Sequence, residues 1–164
     1  MLVTNHVLSG AVIGAAAKRP LPAFLIGVAS HFVLDALPHW GKWDSDERFF
    51  RIAVADGLTG LTAMGLATRA ALKSGSAATP GPGRSDRPGG FAVSVLAGMA
   101  GAALPDLDKP SSMLFGHQLW PTVVCRFHGR IQNEAPNRFV SHELVAAAGF
   151  ALTAGALIRR RAAR

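Results

Sequence analysis

Cysteine is almost missing from this 164-residue chain, with Cys125 standing alone. An intrachain disulfide is therefore excluded, and so is zinc held through several thiolates; any metal must be bound by histidine and carboxylates. Charge is scarce as well: 16% of the residues are charged against 49% hydrophobic, a more apolar balance than an ordinary soluble domain carries. The net charge of +7 raises the question of nucleic acid, but no stripe of Lys and Arg interleaved with aromatics is present. The basic residues are spread over connecting segments and gathered in a tail, Arg159, Arg160, Arg161 and Arg164, which argues against a nucleic-acid partner. A basic tail behind an apolar helix instead fits the bias of Lys and Arg toward the cytoplasmic side of a membrane. A cleavable secretory signal is disfavoured too, because its positive charge would precede the apolar stretch, whereas Lys18 and Arg19 follow the run that ends in Ala15, Ala16 and Ala17.

What the chain does have is five apolar runs, residues 1–17, 21–37, 50–72, 91–107 and 139–158. Each is close to the ~20 residues that cross a hydrocarbon core of ~30 Å at ~1.5 Å per residue, the first being marginal. The pattern predicts an all-α fold: a polytopic membrane bundle of about five membrane-embedded helices, forming one domain over residues 1–164. Pro20 and Pro22 break the first run from the second, and Pro38 and Gly41 stop the second. Residues 42–51 read as a short charged connection, and 74–90, rich in Gly, Pro and Ser, as a flexible loop. Between the fourth and fifth runs, residues 106–138 hold His117, Trp120, Pro121, Cys125, His128 and Pro136, anchors enough for an ordered polar cap. Small residues recur at helical spacing as Gly10 and Gly14, Gly57 and Gly60, and Gly98 and Gly101, and in lipid such residues let helices approach closely.

With the basic tail placed in the cytoplasm, the inner side collects Lys18, Arg19, Arg69, Lys73, Arg84, Arg87 and the four tail arginines. The outer side collects Lys42, Arg48, Arg51, Lys109, Arg126, Arg130 and Arg138, together with most of the acids. Whichever way up the bundle sits, alternating helix directions bring the ionisable groups of the runs to one face. His6 lies near the start of the first run, His31, Asp35 and His39 at the end of the second, and Asp56 early in the third. Asp106 and Asp108 end the fourth, and His142 starts the fifth. On this orientation that face is the outer one.

His31 and Asp35 are four positions apart and share one helix face, with His39 following at the helix mouth beyond Pro38. An imidazole and a carboxylate so placed can bind one metal, zinc and manganese accepting both ligand types, or can simply hold two helices together. An ionisable group inside a lipid-embedded helix costs at least ~2.5 kcal/mol when unpaired and usually marks function. Asp106 and Asp108 flank Leu107, and two carboxylates so close call for a cation or protons between them; a solvated turn after Pro105 is the alternative. Ser141 is placed to cap the last helix and Glu143 to favour its first turn.

Asn5-His6-Val7-Leu8-Ser9-Gly10, the segment Leu104-Pro105-Asp106-Leu107-Asp108-Lys109-Pro110, and the later His128-Gly129-Arg130 and Ser141-His142 together resemble the inner-membrane-associated metal-dependent hydrolase family, also described as LexA-binding. His31-Phe32-Val33-Leu34-Asp35, with Pro38 and His39 beyond it, is similar to the His-x-x-x-Asp metal motif of helical zinc phospholipases C. The first resemblance implies a metal site of His6, Asp106, Asp108, His128 and His142, and a bacterial inner-membrane location; the second adds His31, Asp35 and His39. In that family the two late histidine motifs lie close together, whereas residues 130–140 separate them here, and Glu143 stands where a small hydroxyl residue is usual. The combined expectation is one or two divalent ions, zinc or manganese, held among His6, His31, Asp35, His39, Asp56, Asp106, Asp108, His128 and His142. Asp106 and Asp108 are the catalytic candidates. The activity expected is hydrolysis of a phosphoester, a lipid taken from the bilayer included, by a metal-activated water. A membrane protein that binds, moves or scaffolds around a metal without catalysis is the alternative.

Overall fold

Stretches of Ala, Leu, Val and Gly without a strand-like alternation of polar residues can satisfy their backbone only within themselves, and helix is the result. The computed structural model describes residues 1–17, 19–41, 45–77 and 89–163, and among the described residues it contains helices and no β-strand. The helices are α1 (Val3–Ala17), α2 (Pro20–Ala36), α3 (Asp46–Ala77), α4 (Gly90–Ala103), α5 (Asp108–Phe115), α6 (Thr122–Ile131) and α7 (Val140–Ala162), with a 3-10 turn, Leu104–Leu107, joining α4 to α5. Pro20 opens α2 at the position where a missing N–H costs nothing, and α2 ends at Ala36, shortly before Pro38.

Two expected connections are shorter than the sequence suggests. Helix α3 starts at Asp46, so half of the segment read as a charged connection is helical, and at its other end it runs on through Ser74 to Ala77. Gly89 enters α4 with φ 85°, a left-handed conformation that favours glycine. The middle of the loop read over residues 74–90 lies outside the described residues, as do Lys18, Lys42, Arg84, Arg87 and Arg164 of the charge reading. The polar connection before the last helix is largely helical, in the form of α5 and α6.

Three helical stretches are long and apolar enough to cross a membrane: Glu47–Gly75, Gly90–Phe115 and Val140–Ala162, of 29, 26 and 23 residues. Helices α1 and α2, at 15 and 17 residues, are apolar but shorter, spanning roughly 22–26 Å at ~1.5 Å per residue. They are used differently. Helix α1 touches α2, α3, α4 and α7 and buries Val7 and Ala11 against Val95 and Met99 of α4. By contrast, only 6% of the apolar window of α3 is buried, so α3 forms the outer wall and α1 with α4 the axis.

Glycine decides how close that axis can be. A methyl group on Gly10 would collide with the Gly98 carbonyl, one on Gly14 with the Ser94 carbonyl, and one on Gly98 with the Gly10 carbonyl; Gly101 meets Phe24 of α2 in the same way. Backbone here rests on backbone, the close approach that small residues permit. Gly57 has nothing within 4 Å of such a methyl and Gly60 makes only ordinary contact with Val3 at 3.5 Å, so the pair on α3 does not serve that purpose.

Long-range hydrogen bonds fix the helix directions. At one end the first residues of α1 meet Asp35 near the end of α2, Asp56 in α3 and Glu143 at the start of α7. At the other end Arg161 of α7 lies over the ring of Phe91 in α4, 5.3 Å from its centroid. The ionisable residues of the runs thus gather at one end of an alternating bundle.

Candidate metal centre

Asp35 sits in the last turn of α2 and is completely buried. One turn earlier on the same face, His31 brings Nε2 to 3.2 Å from Asp35 Oδ2. The other ring nitrogen of His31, Nδ1, is 2.8 Å from the carbonyl oxygen of Ala102. A carbonyl can only accept, so Nδ1 carries the hydrogen, and Nε2, which faces Asp35, offers a lone pair when the ring is neutral. That carbonyl is free to accept because the chain after α4 tightens into a 3-10 turn containing Pro105, which has no N–H to offer.

Helix α6 delivers the third group. His128 is buried, and its Nε2 lies 2.9 Å from Asp35 Oδ2 and 3.0 Å from His31 Nε2. The fourth group is Asp106, from the 3-10 turn, whose Oδ1 is 3.9 Å from His31 Nε2 and 3.8 Å from His128 Nε2. Two imidazole nitrogens and two carboxylates facing one another in a buried space repel unless protons or a cation lie between them. Ligand atoms at 2.0–2.2 Å from a common tetrahedral centre stand about 3.3–3.6 Å apart, and the observed separations straddle that spacing. His31, Asp35, Asp106 and His128 are all buried, with one ligand atom from each within 4.8 Å of the others, and could hold one metal ion.

Further residues steady this cluster. His6 is fully buried, stacks on the His31 ring at 4.0 Å between centroids, and sets its Nε2 3.2 Å from Asp35 Oδ1. The Met1 amino group also reaches Asp35 Oδ1, at 3.1 Å. Gln132 Nε2 lies 3.4 Å from Asp35 Oδ2 and 3.3 Å from His128 Nε2, and Lys109 Nζ pairs with Asp106 Oδ1 at 2.8 Å. Outer partners of this kind fix the orientation and basicity of metal ligands.

The other candidates are employed elsewhere. Asp56 accepts the backbone N–H groups of Val3 and Thr4 at 2.6 and 3.1 Å, closing the otherwise open start of α1 from a neighbouring helix. Asp108 accepts the N–H groups of Leu119 and Trp120 at 2.6 and 3.2 Å on Oδ1, and the Cys125 thiol at 3.4 Å on Oδ2, so it organises the turn between α5 and α6. Partial burial, and then the hydrogen bond and negative charge of Asp108, push the Cys125 thiol above its ordinary pKa. His142 is exposed and takes the Phe139 N–H on Nδ1 at 3.1 Å, so that the start of α7 is served by His142 and Phe139 rather than by Ser141. His39 is buried, with Nδ1 2.9 Å from the Leu37 carbonyl and its backbone bridged to Asn133 and Ala135. It stands outside the four-residue cluster, and His117 is exposed.

Glu143 has a larger role than first-turn charge. It is 3% exposed and accepts from Asn5 Nδ2 at 2.7 Å, Leu2 N at 3.3 Å and Trp40 N at 3.2 Å, tying α7 to α1 and to the segment after α2. Gln132, which the sequence reading passed over, carried a signal in its spacing of four from His128.

No family profile, curated protein or solved structure matches this chain. The family resemblance therefore rests on the motifs quoted above, of which the geometry gathers His6, His31, Asp35, Asp106 and His128 and leaves His39, Asp108 and His142 in other roles.

Proposed function

We propose that this chain is a membrane-bound, metal-dependent hydrolase of phosphoesters, phospholipids among them. The observation that carries the reading is the convergence of His31, Asp35, Asp106 and His128 on one buried point. Zinc suits two imidazoles and two carboxylates at this spacing, with manganese the alternative. One ion fits better than two, because Asp56 and Asp108 spend both oxygens on backbone and thiol donors and His142 is exposed outside the cluster. A bound ion would lower the pKa of a water toward ~7 and polarise the ester it attacks.

The remaining work falls to the chain. The bond from His31 Nδ1 to Ala102 keeps Nε2 aimed inward, and His6 holds the far oxygen of Asp35. Asp106 Oδ1 is the outlying corner of the cluster, so it is the group best placed to yield its position and accept a proton from water. Lys109, 40% exposed and beside it, offers a positive charge to an anionic substrate oxygen. In this reading about five helices are embedded in a bacterial inner membrane, with the short α1 and α2 enclosed by the longer ones, and the site lies near the outer face.

One feature favours a second reading, a metal-binding, transport or scaffold protein without catalysis: four buried protein donors complete a tetrahedron and leave no open position, as in structural sites. A screen of phospholipids and phosphodiesters with metal-loaded protein in mild detergent separates the two. Turnover that chelator abolishes and that Asp106→Asn lowers by about 10²-fold or more supports hydrolysis. Equal rates for wild type and variant, or no turnover while the same ions cross liposome membranes, support the second reading.

A further inference from the structure

Helix α6 has an inward face and an outward one. Cys125 and His128 face the protein. Val123 and Phe127, one turn apart, are 72% and 51% exposed. Arg126 and Arg130, also one turn apart, are exposed along one edge of that apolar stripe, Arg130 two turns beyond Val123 on nearly the same line. The apolar side does not end with the helix. Leu114 and Phe115 at the end of α5 are exposed, and the Phe127 ring meets the edge of Phe32 in α2 at 5.4 Å between centroids, beside the exposed Val33 of that helix. An exposed apolar stripe marks a contact with a partner or a membrane, and a stripe with basic residues along its edge matches the boundary between acyl chains and headgroups.

We propose that α6 lies in the lipid–water interface of a bilayer containing anionic lipids, with Val123 and Phe127 among the acyl chains and Arg126 and Arg130 at the headgroup phosphates. The inference rests on the membrane reading above and is independent of the metal. Charge favours lipid over a second copy of the chain, since a symmetric self-contact through this stripe would bring the flanking arginines of the two copies together, while anionic headgroups complement them. His128 leaves the inward side of the same helix, about 100° round from Phe127. The candidate metal centre would thus sit at the depth of this helix, beside the headgroup layer, where an ester of a bilayer lipid would come close to it.

The test uses the full chain with Cys125→Ser as background and single cysteines introduced as Val123→Cys, Phe127→Cys or Arg126→Cys, each carrying an environment-sensitive fluorophore. The labelled proteins are reconstituted in phosphatidylcholine vesicles with and without phosphatidylglycerol. Labels at 123 and 127 are expected to be quenched by lipids spin-labelled near the headgroup and to be shielded several-fold from aqueous iodide relative to the label at 126. Phosphatidylglycerol should deepen that shielding, and Arg126→Gln with Arg130→Gln, introduced alongside the label at 123, should cancel its effect. Equal iodide quenching at all three positions overturns the proposal, and so does oxidative cross-linking of two copies through position 123 in place of lipid quenching. Metal content, measured on the same preparations, reports separately on the metal reading.

Discussion

Asp35 and Asp108 are both carboxylates with several partners, but the partners differ in kind. Asp108 is met by two backbone N–H groups and a thiol, each of which brings its own hydrogen. Around Asp35 stand three imidazole nitrogens, from His6, His31 and His128, besides the Met1 ammonium and the Gln132 amide, with a second carboxylate beyond them. Because His31 Nδ1 bonds to a carbonyl, its Nε2 is the nitrogen that offers a lone pair in the neutral ring. The first arrangement holds no group free to bind a metal, while the second gathers two imidazoles and two carboxylates that could hold one. Proximity of His and Asp in the sequence is thus a weaker guide to a metal site than the identity of the groups that face each carboxylate.

Both regions hang on the α1–α4 axis, so the widest effect should come from its glycines. Gly98→Val would force a side chain into the Gly10 carbonyl, and upwards of about 3 kcal/mol of destabilisation is expected from such overpacking. Thermal unfolding in detergent should show a large fall in melting temperature, with metal binding lost as well. Next in size is Asp56→Asn, which turns one of the two oxygens that receive Val3 and Thr4 into a donor. It should cost about 1–2 kcal/mol while leaving metal content unchanged; a loss of metal there would extend the site to α3.

The smallest effect sharpens the other side of the comparison. Because Asp108 holds the Cys125 thiol above its ordinary pKa, removing its charge in Asp108→Asn should lower that pKa and raise the thiolate fraction at any pH below it. Alkylation of Cys125 at pH about 8 should therefore speed up several-fold. An unchanged rate would mean that burial alone governs the thiol.

Much of the frame was legible because apolar run length and helix alternation are properties of the chain itself. His31 and Asp35 share a face by spacing, and alternation of the helices was enough to bring His6, His31, Asp35 and Asp106 to one end. The fates of Asp56, Asp108 and His142 were not legible. Their donors are backbone groups and, for Asp108, the Cys125 thiol as well, and those of Asp56 lie about fifty residues away, at the start of α1. Glu143 was hidden for the same reason, since its partners Asn5, Leu2 and Trp40 lie in other segments. His128 shows the reverse case, for its motif departed from the family spacing, yet α6 folds back and sets it 2.9 Å from Asp35.

Metal content compared across a matched pair of variants tests the central claim most directly. Protein expressed in metal-replete medium and purified in mild detergent should hold about one equivalent of zinc or manganese by elemental analysis. Asp35→Asn should lose most of it, and Asp108→Asn should keep it. Wild-type protein without stoichiometric metal, or Asp35→Asn holding as much as wild type, would contradict the account.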